Sequence, residues 1–254
     1  MNVLVDFDYP DTFPKDLREQ ELYFNELIDN ESIKGAKTKA DIDNFLESVD
    51  FKYNDFITNY MEINQNIEFV GYHCTRIKES EQIINEGIIT GGGHGGIHEK
   101  RIKELLKEID VDDNQIDYII SKANVYWKRD VGSRIKQVNF FFSKKYIYES
   151  KTALLFTQNL GGEILRWALR GVDIDLYKQE PYNKLWIEGI PTIIKFKYKL
   201  SEVEEWTQRT LIYEMIKYNI IKKILNYDYK FESAGRTIDK VLPKNIIEIE
   251  QVEG

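Results

Sequence analysis

Apolar positions in the first quarter of the chain recur at helical spacing. Leu17, Leu22, Phe24 and Leu27 follow Pro14, a residue suited to a first helical turn. Ile42, Phe45 and Leu46 predict a second helix over 40–48, and a third fits 51–61. The pattern changes at Ile67. Ile67-Glu68-Phe69-Val70-Gly71-Tyr72 is a short apolar run of strand type, with His73 at its end. A helix-like stretch over 77–85 follows and leaves through Glu86-Gly87-Ile88. Ile102, Leu105, Leu106 and Ile109 share one face of a helix over 97–109, and another helix fits 115–128. Further on, 138–143 reads as a buried strand, 153–169 as a helix running through Gly161-Gly162, and 192–198 as a strand. A long amphipathic helix over 202–225 precedes closing strands at 227–232 and 245–252.

Strands and helices mixed without regular βαβ alternation favour an α+β fold over a doubly wound sheet. Residues 1–66 read as a helical N-terminal appendage packed on a main domain over 67–254. No internal repeat and no low-complexity tail interrupts this order.

Composition narrows the partners. With 254 residues, 42% hydrophobic and 13% aromatic, the chain can build a sizeable core. Its net charge of −8 argues against a dedicated nucleic-acid binder, although a local basic patch is compatible with it. There is no run of about 18 apolar residues, so no membrane span is expected. The acidic first residues lack the basic-then-apolar order of a signal peptide. Cys74 is the single cysteine, so no intrachain disulfide is possible. A cytoplasmic location is the simplest expectation.

The candidate chemistry centres on Tyr72-His73-Cys74-Thr75-Arg76. On an extended chain His73 and Thr75 point to one side, where an imidazole and a hydroxyl can hold a single diol. Arg76 or a backbone group would then meet a phosphate. Thr90-Gly91-Gly92-Gly93-His94-Gly95-Gly96 is the most glycine-rich stretch and suits a loop over a pocket. His94 and His98 are four apart, but the glycines between them disfavour a helical zinc pair, and no metal site is expected. Glu163, after Gly161-Gly162, is a second acidic candidate. Arg134 could reach a diphosphate or form a surface ion pair. Cys74 reads as a small buried residue rather than a nucleophile. Trp127, Trp167, Trp186 and Trp206 read as core or edge residues.

Tyr72-His73-Cys74-Thr75-Arg76, followed by Ile83-Ile84 and Gly87-Ile88, resembles the first motif of the ADP-ribosyltransferase superfamily. The similarity is to its His-Tyr-Glu group, shared by diphtheria toxin and the poly(ADP-ribose) polymerases. Phe140-Phe141-Phe142-Ser143 resembles the second motif, an aromatic strand ending in a small or hydroxyl residue. Phe141 stands where the family has tyrosine, which removes a hydroxyl and keeps a stacking face. Glu232 resembles the glutamate opening a late strand, with Pro243 and Ile246 marking the closing stretch.

The resemblance covers roughly 67–252 and implies a split β-sheet and NAD as substrate. It implies that His73, Thr75, Arg76, Phe141 and Ser143 bind NAD, with Tyr146 or Tyr148 stacked on nicotinamide. Tyr148 is the one preferred. Glu232 and His73 would be catalytic, the glutamate stabilising positive charge on the ribose as nicotinamide leaves. The expected activity is transfer of ADP-ribose from NAD to an unknown acceptor: protein, nucleic acid or small molecule. Two alternatives stay open: an inactive NAD- or nucleotide-binding module of the same fold, and an NAD-dependent RNA 2′-phosphotransferase. The sequence is silent on toxin, defence or housekeeping roles.

Overall fold

The computed structural model describes residues 4–19, 35, 37–48, 50–90, 96–129, 137–158, 160, 162–226 and 229–252. Strand β1 (Leu4–Val5) opens the chain, followed by helices α1 (Lys15–Glu19), α2 (Lys39–Ser48) and α3 (Asp50–Ile63). Strand β2 (Glu68–Ile77) leads to α4 (Ser80–Glu86), α5 (Ile97–Glu108) and α6 (Asp113–Arg129). Then come β3 (Asn139–Phe141), α7 (Lys144–Glu149), α8 (Lys151–Leu154), α9 (Gly162–Val172) and α10 (Lys184–Ile187). Strand β4 (Ile190–Lys199), the long helix α11 (Glu205–Leu225), β5 (Ala234–Arg236) and β6 (Ile246–Gln251) close it.

The fold is α+β. The described strands form one open sheet in the order β5-β3-β2-β4-β6, with β1 added beside β2. All pairs are antiparallel except the parallel β1–β2 pair. The centre is β2, which pairs with β4 over its whole length, from Glu68↔Lys199 to Ile77↔Ile190.

Alternation along β2 sends Phe69, Gly71, His73 and Thr75 to one face and Val70, Tyr72, Cys74 and Arg76 to the other. The first face carries the main core. Phe69, Phe140 and Phe196 meet Leu211, Ile212, Met215 and Ile216 of α11 there. These α11 residues recur at i, i+1, i+4 and i+5, one stripe of the helix. A smaller cluster of Val70, Tyr72, Cys74, Ile147 and Ile193 covers the second face. Helices α5, α6, α9 and α10 share a separate apolar cluster built on Ile102, Leu106, Ile119, Leu165 and Leu185.

Several sequence expectations change. Residues 1–66 are not wholly helical, because Leu4–Val5 joins the sheet as β1. Val5, Phe7, Phe13, Leu17, Phe45, Ile57 and Tyr60 lie in the same core as Phe69 and Phe140, so the apolar packing is continuous across residue 66. Strand β2 does not end at His73 but continues to Ile77, carried by the full ladder with β4. The helix expected over 153–169 breaks into α8, a 3-10 turn over Leu155–Thr157, and α9, which begins at Gly162. Glycine in a helix interior costs backbone entropy, and a helix start is where that cost is smallest. Residues 229–233 form no strand, and β5 begins only at Ala234. The first helix is described only over Lys15–Glu19, and Leu22, Phe24 and Leu27 lie outside the described residues.

Candidate functional site

The site grows from the end of β2. Pairing between β2 and β3 is reduced to Tyr72↔Phe141, after which β2 continues along β4 while β3 stays with β5. The two strands therefore fork at His73. Its Nδ1 lies 2.8 Å from the carbonyl oxygen of Asn139 on β3. A carbonyl only accepts, so Nδ1 carries the proton, and Nε2 of the neutral ring is an acceptor. Burial pulls the His73 pKa down; the Asn139 bond opposes this and the charge of nearby His98 adds to it. A neutral imidazole follows at neutral pH.

Thr75, two residues on, is half-buried on the same face as His73 and lies opposite the fully buried Thr192 of β4. Its hydroxyl has no hydrogen-bond partner among the described residues. Two further groups frame the fork. His98 stands in the first turn of α5, its pKa lowered by burial and by Arg101 against a bond to the Ile89 backbone. On the other side Arg236 of β5 donates from Nε to Asn139 Oδ1 at 3.0 Å and lies over the Trp206 ring at 5.5 Å.

The structure gives other expected ligands different partners. Arg76 leaves β2 on the face opposite His73. Its Nε donates to Glu188 O at 2.6 Å, Nη2 to Ile187 O at 3.1 Å and Nη1 to Thr157 O at 3.4 Å. This guanidinium clamps the chain after α10 and the 3-10 turn to the central strand. Ser143 is the N-cap of α7: its oxygen accepts from Tyr146 N and its hydroxyl donates to Asp8 Oδ1 at 2.5 Å. Tyr148 is exposed and donates to Glu250 Oε1 at 2.6 Å. Burial, then Glu250, push that phenol up to about 12.

Phe141 faces the second side of the sheet, its ring 5.8 Å from Tyr146 and 5.9 Å from Phe156. It thus borders the fork from the face opposite His73. Cys74 is buried, and burial alone raises its thiol to about 12, so it stays protonated.

Glu232 is exposed and lies two residues before β5, with no ion-pair or hydrogen-bond partner among the described residues. It stands four residues before Arg236, the partner of Asn139. Four residues of chain span at most about 14 Å. A carboxylate beside that end of β5 is Glu204. Its backbone N–H donates to Arg236 O at 3.1 Å, and its side chain accepts from Gln137 and Trp206. His73 and Thr75 are therefore brought together, whereas Glu232, Arg76, Ser143 and Tyr148 are not joined to them.

Sequence reasoning passed over Asn139, Arg236 and Glu204, which no motif marks. Trp206 was expected as a core or edge residue, and only its closeness to Arg236 gives it weight. His94, Arg134 and Gly161, with the side chains of Trp127 and Glu163, lie outside the described residues. Among the described residues no group of three or more His, Cys, Asp or Glu could hold a metal ion, and no helix is long and apolar enough to cross a membrane. Comparison with family models, curated proteins and solved structures gives no significant match.

Proposed function

We propose that this chain is an NAD-dependent ADP-ribosyltransferase with a split sheet of the kind the resemblance implies. The observation that carries the reading is the adjacency of three motif-bearing segments. The His73 strand β2, the Phe141 strand β3 and the strand after Glu232, β5, are neighbours in one sheet. β2 and β3 part beside His73 itself. A neutral His73 presenting Nε2 and a free Thr75 hydroxyl on one face suit the vicinal diol of a ribose. Phe141 borders the same fork with an apolar ring.

In the reaction the bond between ribose C1′ and the nicotinamide nitrogen breaks. The bonding pair goes to the already cationic ring, so nicotinamide leaves neutral and the ribose gains oxocarbenium character. A carboxylate stabilises that charge and takes the proton of the attacking acceptor. Glu232 is assigned this part by its match to the motif glutamate, and its carboxylate has no partner among the described residues.

The test is nicotinamide release from NAD by wild type, His73→Ala, Glu232→Ala and Glu204→Gln. Release by wild type, reduced about 100-fold or more by both His73→Ala and Glu232→Ala, is the expected result. Release that survives Glu232→Ala and fails in Glu204→Gln moves the carboxylate role to Glu204. The position of Glu232 in irregular chain, with no bond to His73 or Thr75 among the described residues, favours a second reading, an NAD-binding module without turnover. That reading is met by NAD binding that depends on His73 with no release. Neither release nor binding rejects the family reading.

A further inference from the structure

A second cluster of chemistry lies away from His73. Helix α9 presents Arg166 and Arg170 one turn apart, and both line a cavity of about 410 Å³. The same cavity is lined by the rings of Tyr177 and Trp186, packed with centroids 5.2 Å apart and planes at 34°. Gln158 also lines the cavity.

Neither arginine has an ion-pair or hydrogen-bond partner among the described residues. Among the described residues lining the cavity the one acid is Asp175, which is held by Lys178 at 2.6 Å. Lys178 Nζ also stands 5.5 Å from the centre of the Tyr177 ring. The cavity is therefore locally cationic in a chain of net charge −8. Paired guanidinium forks match phosphate oxygens. Aromatic faces beside them match a nucleobase.

We propose that this cavity binds a nucleotide, with the base against Tyr177 and Trp186 and the phosphate between Arg166 and Arg170. The same chemistry is offered by a free mononucleotide and by one unit of a single strand. Two of the lining residues, Gln158 and Trp186, sit beside chain anchored to the central strand. Arg76 donates to Thr157 O, next to Gln158, and to Ile187 O and Glu188 O, directly after Trp186. The site thus connects to β2 on the face opposite His73, and it stands whether or not the chain turns over NAD.

The experiment titrates the full chain with UMP, uridine and inorganic phosphate by calorimetry. A fluorescein-labelled ten-residue oligouridylate is titrated in parallel by anisotropy, at low and high salt. UMP or the oligonucleotide should bind more tightly than uridine or phosphate. Arg166→Ala/Arg170→Ala should weaken that binding by about tenfold or more, and His73→Ala should leave it unchanged. Should the double variant fail to melt like wild type, Arg170→Glu, at an exposed position, replaces it and should weaken binding as well. Binding of UMP identifies a free nucleotide as a sufficient ligand, and binding of the oligonucleotide alone identifies a strand. No binding of either at low salt overturns the proposal. So does binding indifferent to the arginine variants, or lost equally in His73→Ala.

Discussion

His73 shows how one side chain is set by what surrounds it. Its Nδ1 proton is committed to Asn139 O, and burial holds its pKa below the usual value for a histidine. Unfolded, the same ring takes up a proton near about pH 6.5. The unfolded state therefore binds more protons than the folded state below that pH, and stability falls as pH drops through this range. His98 shifts in the same direction and adds to the loss. We expect His73→Gln to make stability less dependent on pH between 7.5 and 5.5. Urea denaturation at both ends of that range measures it, and an unchanged pH dependence would contradict the neutral, half-buried ring.

Arg76 and Ser143 give the contrasting lesson. Both stand in the motifs that resemble a nucleotide pocket, yet the structure uses their polar atoms to brace chain segments. Sequence spacing placed His73 and Thr75 on one face because a strand alternates with period two. The same alternation sends Arg76 to the other face, where only tertiary packing supplies the carbonyls of Thr157, Ile187 and Glu188.

At the scale of elements, caps and glycines decide where helices begin and end. Asp8 reaches across 135 residues to the start of α7, accepting from Ser143 Oγ and from the backbone N–H of Lys144 at 2.8 Å. It satisfies donors that a helix N-terminus leaves open. Asp8→Ala should therefore cost about 1–2 kcal/mol, at the upper end for a lost cap. The melting temperature checks it, and a shift no larger than that of an exposed control such as Asp11→Ala would refute the bracing role.

Gly87 ends α4 with φ of 76°, and a Cβ there would lie 2.0 Å from Val241 O, where Ile88 pairs with Val241. The Gly-Ile step thus ends a helix and starts a bridge, and it was legible in sequence because glycine is the residue that tolerates this backbone. Over 229–232, the described part of the strand expected at 227–232, no strand forms, since apolar residues of irregular chain bury as well as those of a ladder. Tyr229 and Phe231 are both buried there.

For the whole molecule, the N-terminal segment belongs to the main core. The Phe13 ring is 1% exposed and lies 5.2 Å from Phe7, 5.5 Å from Tyr218 and 5.9 Å from Phe231. A ring resting on a separate appendage would be worth little to the rest. Here Phe13→Ala should destabilise the whole protein in one transition by about 3–5 kcal/mol. Denaturant melts followed by Trp fluorescence and by far-UV circular dichroism should shift together. A two-step transition would instead make residues 1–66 a unit that unfolds by itself. Asp6 strengthens the same junction. It is 5% exposed, accepts from Tyr72 Oη at 3.1 Å and pairs with Lys195 Nζ at 3.0 Å.

Local pattern was enough to read the α+β class, the helices near residues 40–63 and 97–129, and the strands β4 and β6. Period and propensity are properties of neighbouring residues, and these segments are long or strongly patterned. It was also enough to pair His73 with Thr75. The fork between β2 and β3, the Asn139–Arg236–Trp206 frame and the cationic cavity on α9 depend on residues tens of positions apart. So does the entry of β1 into the sheet. Such contacts form only when loops close and the core packs, and no local pattern records them. Sequence alone therefore determined which segments bury which side. The tertiary structure decided which polar groups were left without a protein partner.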